Sequence, residues 1–284
     1  MATENGRSAT NVVAFFALAY LIAWAMWLPL LAAGVLVRQG WWPTHFPGLL
    51  APAVAAMLVT AWREGMSAGL AFVRSALRWR PTIRELGIAL SPLGFLVVAL
   101  PAARLIDGHW IDPSEFGHFS GLPSSIGPIG VVLALVIVNG LGEEMGWRGF
   151  AMPRLQARFG ALPGIMLLTV GWAAWHAPLF GLLASYKGFS VALVPAFLFS
   201  LGCGAVILAW VYYRTGGSIW ACAVWHALYN VASGTDAAQG TVAVIVSTLV
   251  VVQAVGLVSR HLRTQHAGTL SPLGPREVSQ LLSG

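Results

Sequence analysis

The sequence predicts an all-α, polytopic transmembrane helical bundle, and three observations carry that prediction. Apolar residues make up 57% of the 284 residues, charged residues only 9%, and the mean hydropathy is +0.76. A water-soluble domain of this size carries about 25% charged residues, so a soluble globule is excluded. The apolar residues also fall in long runs, and a hydrocarbon core of about 30 Å takes roughly 20 of them per helix. Runs of that length predict about eight membrane helices, near 11–37, 46–62, 86–106, 127–152, 162–184, 189–213, 217–235 and 241–259.

The joins have their own chemistry. The first run is too long for a signal-peptide core and has no cleavage-like end, so it is expected to be retained. Pro43 and Pro47 mark the entry to the second run, Pro81 that to the third, Gly160 separates the fourth from the fifth, and Gly216-Gly217 the sixth from the seventh. No internal repeat with a period of roughly 20–50 residues is present. The chain therefore reads as one multi-span membrane domain over 1–264, with a short cytoplasmic tail over 265–284 that holds Pro272 and Pro275.

Basic residues set the orientation. With the N-terminus in the cytoplasm and the runs alternating, thirteen of the 16 Lys and Arg residues fall inside, and Arg38, Arg104 and Lys187 fall outside. The positive-inside rule selects this arrangement, a multi-pass cell-membrane protein with both termini cytoplasmic. The net charge of +6 then follows from topology, and no nucleic acid is expected as a partner. Membrane lipid is the expected surrounding. Outside loops carry Asp107, Asp112 and Glu115, and Trp41, Trp42, Trp79 and Trp110 fall near interfaces. Cys203 and Cys222 lie in apolar runs without CxxC spacing, which excludes a disulfide framework. Fifteen arginines to one lysine suggest a prokaryotic source.

The exceptions to apolarity point to function. A charged side chain at the centre of a membrane helix costs about 2.5–3.5 kcal/mol on insertion scales, so such residues are usually functional. They are Glu143, Glu144 and Arg148 in the fourth run and His176 in the fifth, with His226 and Asn230 in the seventh. Glu143 lies seventeen residues before Gly160 and His176 sixteen after it, so an antiparallel hairpin puts them at equal depth. His226 and Asn230 are spaced i,i+4 and share a helix face, with His226 about 14 Å into its helix. Three helices can thus feed one pocket, expected below the cytoplasmic surface. His45, His109, His118, His261 and His266 fall in loops or the tail and are expected to be solvated.

Other residues read as supports. Glu144 is either a second carboxylate of the site or the i,i+4 partner of Arg148, and the residues leave both open. Gly142 and Gly146 have the GxxxG spacing that admits a close helix. Pro178 should kink the fifth helix, because it cannot donate to Ala174.

These residues resemble the CPBP intramembrane proteases, which include the CAAX prenyl proteases of the Rce type. That family carries E-E-x-x-x-R, F-x-x-x-H and H-x-x-x-N motifs on successive membrane helices. Here they stand as Glu143-Glu144-Met145-Gly146-Trp147-Arg148, Trp172-Ala173-Ala174-Trp175-His176 and His226-Ala227-Leu228-Tyr229-Asn230. Trp172 replaces the usual phenylalanine and keeps a large ring one turn before the histidine. The resemblance covers about 127–235, the expected protease core, and the first three runs carry no motif.

The resemblance implies an intramembrane peptidase open to the cytoplasm, acting on a peptide or protein C-terminal substrate that can be lipidated. Glu143 would activate a water, His176 would share or orient it, and His226 with Asn230 would hold the tetrahedral oxygen. Arg148 and Trp172 would support them. The family is often labelled metalloprotease, and Glu143, His176 and His226 are the candidate zinc ligands. No HExxH is present and the histidines come from separate helices, so a metal-free mechanism is favoured. A serine or cysteine protease is disfavoured, since no GxSxG occurs. Two further classes stand as alternatives: a proton- or cation-coupled transporter, and a non-catalytic scaffold or immunity protein of the same fold. The missing repeats and paired broken helices speak against transport.

Overall fold

The computed structural model describes residues 2–40, 42–78, 81–186, 190–267 and 271–274. Trp41, Trp79, Arg80, Lys187 and the tail from Pro275 onward lie outside them. Helices α1 (Ala2–Ala32), α2 (Phe46–Leu49), α3 (Ala51–Glu64), α4 (Met66–Ala76), α5 (Ile83–Ala89) and α6 (Ser91–Asp107) come first. A composite pass follows, made of α7 (Gly127–Ala134), a π-helical stretch Leu135–Leu141, α8 (Gly142–Gly146), a second π-helical stretch Trp147–Ala151 and α9 (Met152–Phe159). The chain ends with α10 (Ala161–Trp175), α11 (Leu179–Leu182), α12 (Val194–Arg214), α13 (Ile219–Gly234) and α14 (Gly240–His266). No strand occurs among the described residues; Val37 and Leu183 make an isolated bridge.

The all-α polytopic bundle is as expected. Among the described residues, five helical passes are long and apolar enough to cross a membrane, and α5 with α6, bent by 48° at Leu90, makes a sixth if the pair is one span. The runs at 46–62 and 217–235 are helical too, but α3 and α13 have only 14 and 16 residues. By that measure the number eight is not established. Lipid-facing character shows in the exposed apolar side chains Val97, Leu105, Ile129, Val170 and Val252.

Local sequence explains the breaks. Thr82 and Glu85 close a capping box that starts α5. Gly160, at φ +86°, turns α9 into α10 in a conformation that suits glycine. The break expected at Pro178 is present as a turn at residues 176–178, between α10, which stops at Trp175, and α11, within the one pass Ala161–Leu182. A Cβ on Gly142 would lie 2.7 Å from the Leu49 carbonyl oxygen, and one on Gly146 would lie 2.5 Å from Pro52 Cβ. Gly140 meets the Ala223 carbonyl in the same way, at 2.6 Å. The composite pass is therefore clamped between α2–α3 and α13, backbone against backbone.

Helix α1 is fastened to α10 and the second pass by polar contacts from aromatic rings. Trp24 Nε1 donates to the Trp175 carbonyl at 3.0 Å, and Trp27 Nε1 donates to the His45 carbonyl at 2.9 Å. Phe15, Trp147, Trp175 and Trp27 continue as edge-to-face contacts, with centroids 5.4, 5.7 and 4.8 Å apart. Each indole thus satisfies its N–H while its ring fills the core.

The bundle has two distinct ends. At one, four loops are tied by backbone hydrogen bonds: Val37 to Leu182 at 2.8 Å, Gly121 to Arg38 at 2.7 Å, Gly40 to Leu122 at 2.9 Å, and Asp236 to His118 at 3.2 Å. At the other, Gln156 Nε2 donates to the Leu273 carbonyl at 2.9 Å, Tyr213 donates to Gln156, and Trp220 Nε1 donates to the Leu77 carbonyl at 2.9 Å. His261 is buried near this second end, with Nδ1 2.6 Å from Ser271 Oγ, and is not the solvated residue expected.

Candidate active site

The π-helical stretches flank the paired glutamates. In a regular α-helix a four-residue spacing overshoots one turn by about 40°, so a series at that spacing winds around the helix. Wider turns cut that drift, and π segments occur often at functional sites. Here Asn139, Glu143 and Trp147, each four residues apart, stay together. Asn139 Nδ2 and Trp147 Nε1 both donate to the Glu143 carboxylate, the latter at 3.2 Å.

A third donor reaches Glu143 from α10, where Trp172 Nε1 donates to Oε2 at 2.7 Å. The carboxylate, 1% exposed, is thus held by three N–H groups from two passes. Asn230 on α13 donates to Asn139 Oδ1, which links a third helix to the same acid.

Glu144 faces another way. Its Oε1 accepts from Arg148 Nη1 at 2.9 Å and lies 2.8 Å from His226 Nδ1, with Glu144 and Arg148 fully buried. Arg148 also lies over the Trp172 ring at 4.5 Å. Arg148 Nε and Nη2 and Glu144 Oε2 have no hydrogen-bond partner. Of the two readings left open for Glu144, the pairing with Arg148 is present, and the same oxygen also contacts the His226 ring although Glu144 does not line the cavity.

The two histidines present the same nitrogen. His176 caps the end of α10, and its Nδ1 lies 2.7 Å from the Trp172 carbonyl. A carbonyl only accepts, so that nitrogen carries the hydrogen. With Nδ1 of each ring engaged, Nε2 is the nitrogen left for chemistry. His176 lies within electrostatic reach of both Glu143 and His226.

All of these except Glu144, Trp147 and Arg148 line one cavity of about 1070 Å³. Its deep part holds Asn139, Glu143, Trp172, His176, His226 and Asn230. Its mouth is lined by exposed Arg38, Gln39, Asp236 and Gln239 from the tied loops. The convergence of three helices is as expected, and the cavity mouth lies at the tied-loop end, opposite the Gly160 turn. Glu143 stands about 25 Å from that turn at 1.5 Å per residue, midway along the pass Ser124–Phe159.

Three residues of this site, Asn139 and His45 in the cavity lining and Trp147 behind Glu143, were not singled out from the sequence. Asn139 could have been found as an amide one turn before Glu143 in an apolar run. Trp147 sits inside the first motif, yet nothing in the spacing said that its N–H turns to the acid. His45 was expected to be solvated; it is 4% exposed, lines the cavity, and its Nδ1 has no hydrogen-bond partner. Burial pushes this imidazole, in the loop ahead of α2, down to a pKa of about 3, with His176 adding to the shift.

The donor types for zinc are present, since engagement of Nδ1 leaves Nε2 of both motif histidines available, but they are not gathered around one point. No group of three or more His, Cys, Asp or Glu among the described residues is placed to hold a metal ion.

Residues 125–232 match the family model described as type II CAAX prenyl endopeptidase Rce1-like. A curated protein, CAAX prenyl protease 2 of Methanococcus maripaludis, is 26% identical over 193 residues, which span 65% of this chain and 69% of that protein. The matched family segment encloses all three motifs.

Proposed function

We propose that this chain, supported by its motifs and both comparisons as a member of the CPBP/CAAX protease family, is an intramembrane endopeptidase that uses a glutamate-activated water without a metal. The observation that carries the reading is the three-donor grip on Glu143 beside two histidines whose Nε2 atoms remain available. In this reading a water bound between Glu143 and His176 Nε2 attacks the carbonyl carbon of the scissile peptide. Glu143 takes the water proton as the new C–O bond forms. The displaced carbonyl electron pair moves to oxygen, which accepts from His226 Nε2–H and from the Asn230 amide hydrogen not given to Asn139. Collapse breaks the C–N bond, and Glu143 returns its proton to the leaving amine.

Glu144 orients the His226 donor. The oxyanion step takes His226 with a hydrogen on each ring nitrogen, one directed at Glu144 Oε1 2.8 Å away and one at the oxyanion. Arg148 then keeps Glu144 in place. The substrate is a peptide or protein with its cleavage site near a C-terminus, and it can be lipidated. Both chain termini lie in the cytoplasm, in a prokaryotic cell membrane.

The test is cleavage by detergent-purified protein of a peptide library that includes prenylated C-terminal peptides, with Glu143→Gln as the comparison. Cleavage by the parent that the variant loses supports the reading. Equal cleavage by both removes Glu143 from the mechanism.

A further inference from the structure

The cavity mouth and the arginines are at opposite ends of the bundle. Four passes begin at the tied-loop end: α3, the composite pass ending in α9, α12 and α14. All four finish with arginine in their last turn, namely Arg63, Arg158, Arg214 and Arg263. The helix macrodipole alone would favour a cation there, so the passes that run the other way are the control. Of these, α1, α10 and α13 have no basic residue in their last turn, and only α6 has one, Arg104. The asymmetry therefore belongs to the ends of the bundle rather than to helix C-termini. Arg74, Arg78 and Arg84, in and around α4 and α5, lie between passes at the same arginine-bearing end.

The mouth has the opposite character. Asp236 takes Gln39 at 2.9 Å and His118 at 3.4 Å. The loop joining α6 to the composite pass, tied to this end through Gly121 and His118, carries Asp112 and Glu115. Arg38 is the one arginine among the residues lining the cavity. Cytoplasmic segments of membrane proteins are enriched in Lys and Arg, so the arginine-bearing end is the cytoplasmic one.

We infer that the cavity opens on the extracytoplasmic face, so that, on the peptidase reading of the same site, its substrate is a peptide segment presented outside the cytoplasm. The geometry needs no rearrangement to admit it: the mouth side chains Arg38, Gln39, Asp236 and Gln239 are all exposed. A juxtamembrane or C-terminal segment of a membrane-anchored protein on that face would descend from the polar mouth to the Glu143 carboxylate. A cytoplasmic C-terminus would meet the closed end, where Gln156, Tyr213 and Leu273 are hydrogen-bonded together.

Charge-neutral cysteine substitutions test this in intact bacterial cells. Gln39→Cys and Gln239→Cys report the mouth, Ser75→Cys and Gln265→Cys report the other end, and all four positions are exposed. The native Cys203 and Cys222 are buried, so the parent is the background. A membrane-impermeant maleimide should label the two mouth variants in intact cells, and the other two only after permeabilisation. The reverse pattern, or labelling of both ends in intact cells, overturns the inference. This readout does not depend on cleavage. A second arm tethers a cleavable segment to a single-pass anchor on either face. Glu143-dependent cleavage only outside supports the inference, and cleavage only inside overturns it. Cleavage on neither face counts against the peptidase reading, while the labelling still decides the sidedness.

Discussion

Trp172 donates its indole hydrogen to Glu143 Oε2 at 2.7 Å, across two helices, at the position where the motif it resembles has phenylalanine. The ring does more than fill space: Arg148 lies over it at 4.5 Å, and the His226 ring meets it edge-on at 5.5 Å. One side chain therefore touches Glu143, Arg148 and His226. Trp172→Phe keeps an aromatic face and removes the hydrogen bond. Hydrogen bonds to charged groups contribute about 1.5–3 kcal/mol, so kcat should fall about 10- to 100-fold with KM little changed. An unchanged kcat would show that the indole N–H has no part in aligning Glu143.

Glu144 holds Arg148 and His226 on one oxygen, and its removal should be felt first as instability. Glu144→Gln leaves Arg148 as a buried charge without its carboxylate, which typically costs about 3–5 kcal/mol. A clear drop in Tm in detergent is the expected outcome. Adding Arg148→Met to Glu144→Gln should recover much of that Tm, because the orphaned charge is gone. Activity should stay low in the double variant, since His226 has still lost its carboxylate. Recovery of both together would mean that Glu144 acts only through Arg148.

Much of this site was legible because membrane helices make polar residues conspicuous. Glu143, Glu144, Arg148, His176, His226 and Asn230 stood out against apolar surroundings, and counting from Gly160 paired Glu143 with His176, which the structure brings to one cavity. What could not be read was where the wide turns fall. The π-helical stretches on both sides of Gly142–Gly146 decide that Asn139 and Trp147 turn toward Glu143, and local propensity does not encode them. His45 was hidden for a different reason. Its loop is folded over the cavity by long-range contacts, the Trp27 indole on its carbonyl and Gly121 against its ring, and sequence position alone labelled it a surface residue.

Asn139 joins Glu143 to Asn230, and the two halves of that link can be separated. Asn139→Ala removes one donor from the acid and the acceptor that orients the Asn230 amide. Loss of general-base catalysis itself costs about 10²- to 10⁴-fold, so Glu143→Gln should be the deepest single loss. Asn139→Ala should fall short of it, and Asn230→Ala should add less on top of Asn139→Ala than it costs alone. A double-mutant cycle on kcat/KM measures this coupling. Strict additivity would show that the Asn139–Asn230 contact does not matter for the reaction.

Chelation separates the hydrolytic schemes directly. The proposed reaction has its proton acceptor and its oxyanion donors in protein groups. Peptide cleavage by the purified protein should survive exhaustive treatment with EDTA and 1,10-phenanthroline. Loss of cleavage that returns on adding zinc would overturn the metal-free scheme and require the donors around Glu143 to regroup.

The glycines of the composite pass set how closely α8 approaches α3, and thereby where Glu143 sits. A methyl on Gly146 would be 2.6 Å from the Pro52 carbonyl oxygen as well as 2.5 Å from Pro52 Cβ, and neither atom belongs to a flexible side chain. Overpacking of this kind costs about 1–3 kcal/mol. Gly146→Ala should therefore lower Tm and also displace α8, reducing kcat. Gly204→Ala on α12 is the matched control: it lines the same cavity, and its added Cβ meets nothing within 4 Å. Its Tm should hold or rise slightly, because alanine is the better helix former by about 1 kcal/mol. Equal effects from the two substitutions would mean that the close approach of α8 to α3 does not hold the acid in place.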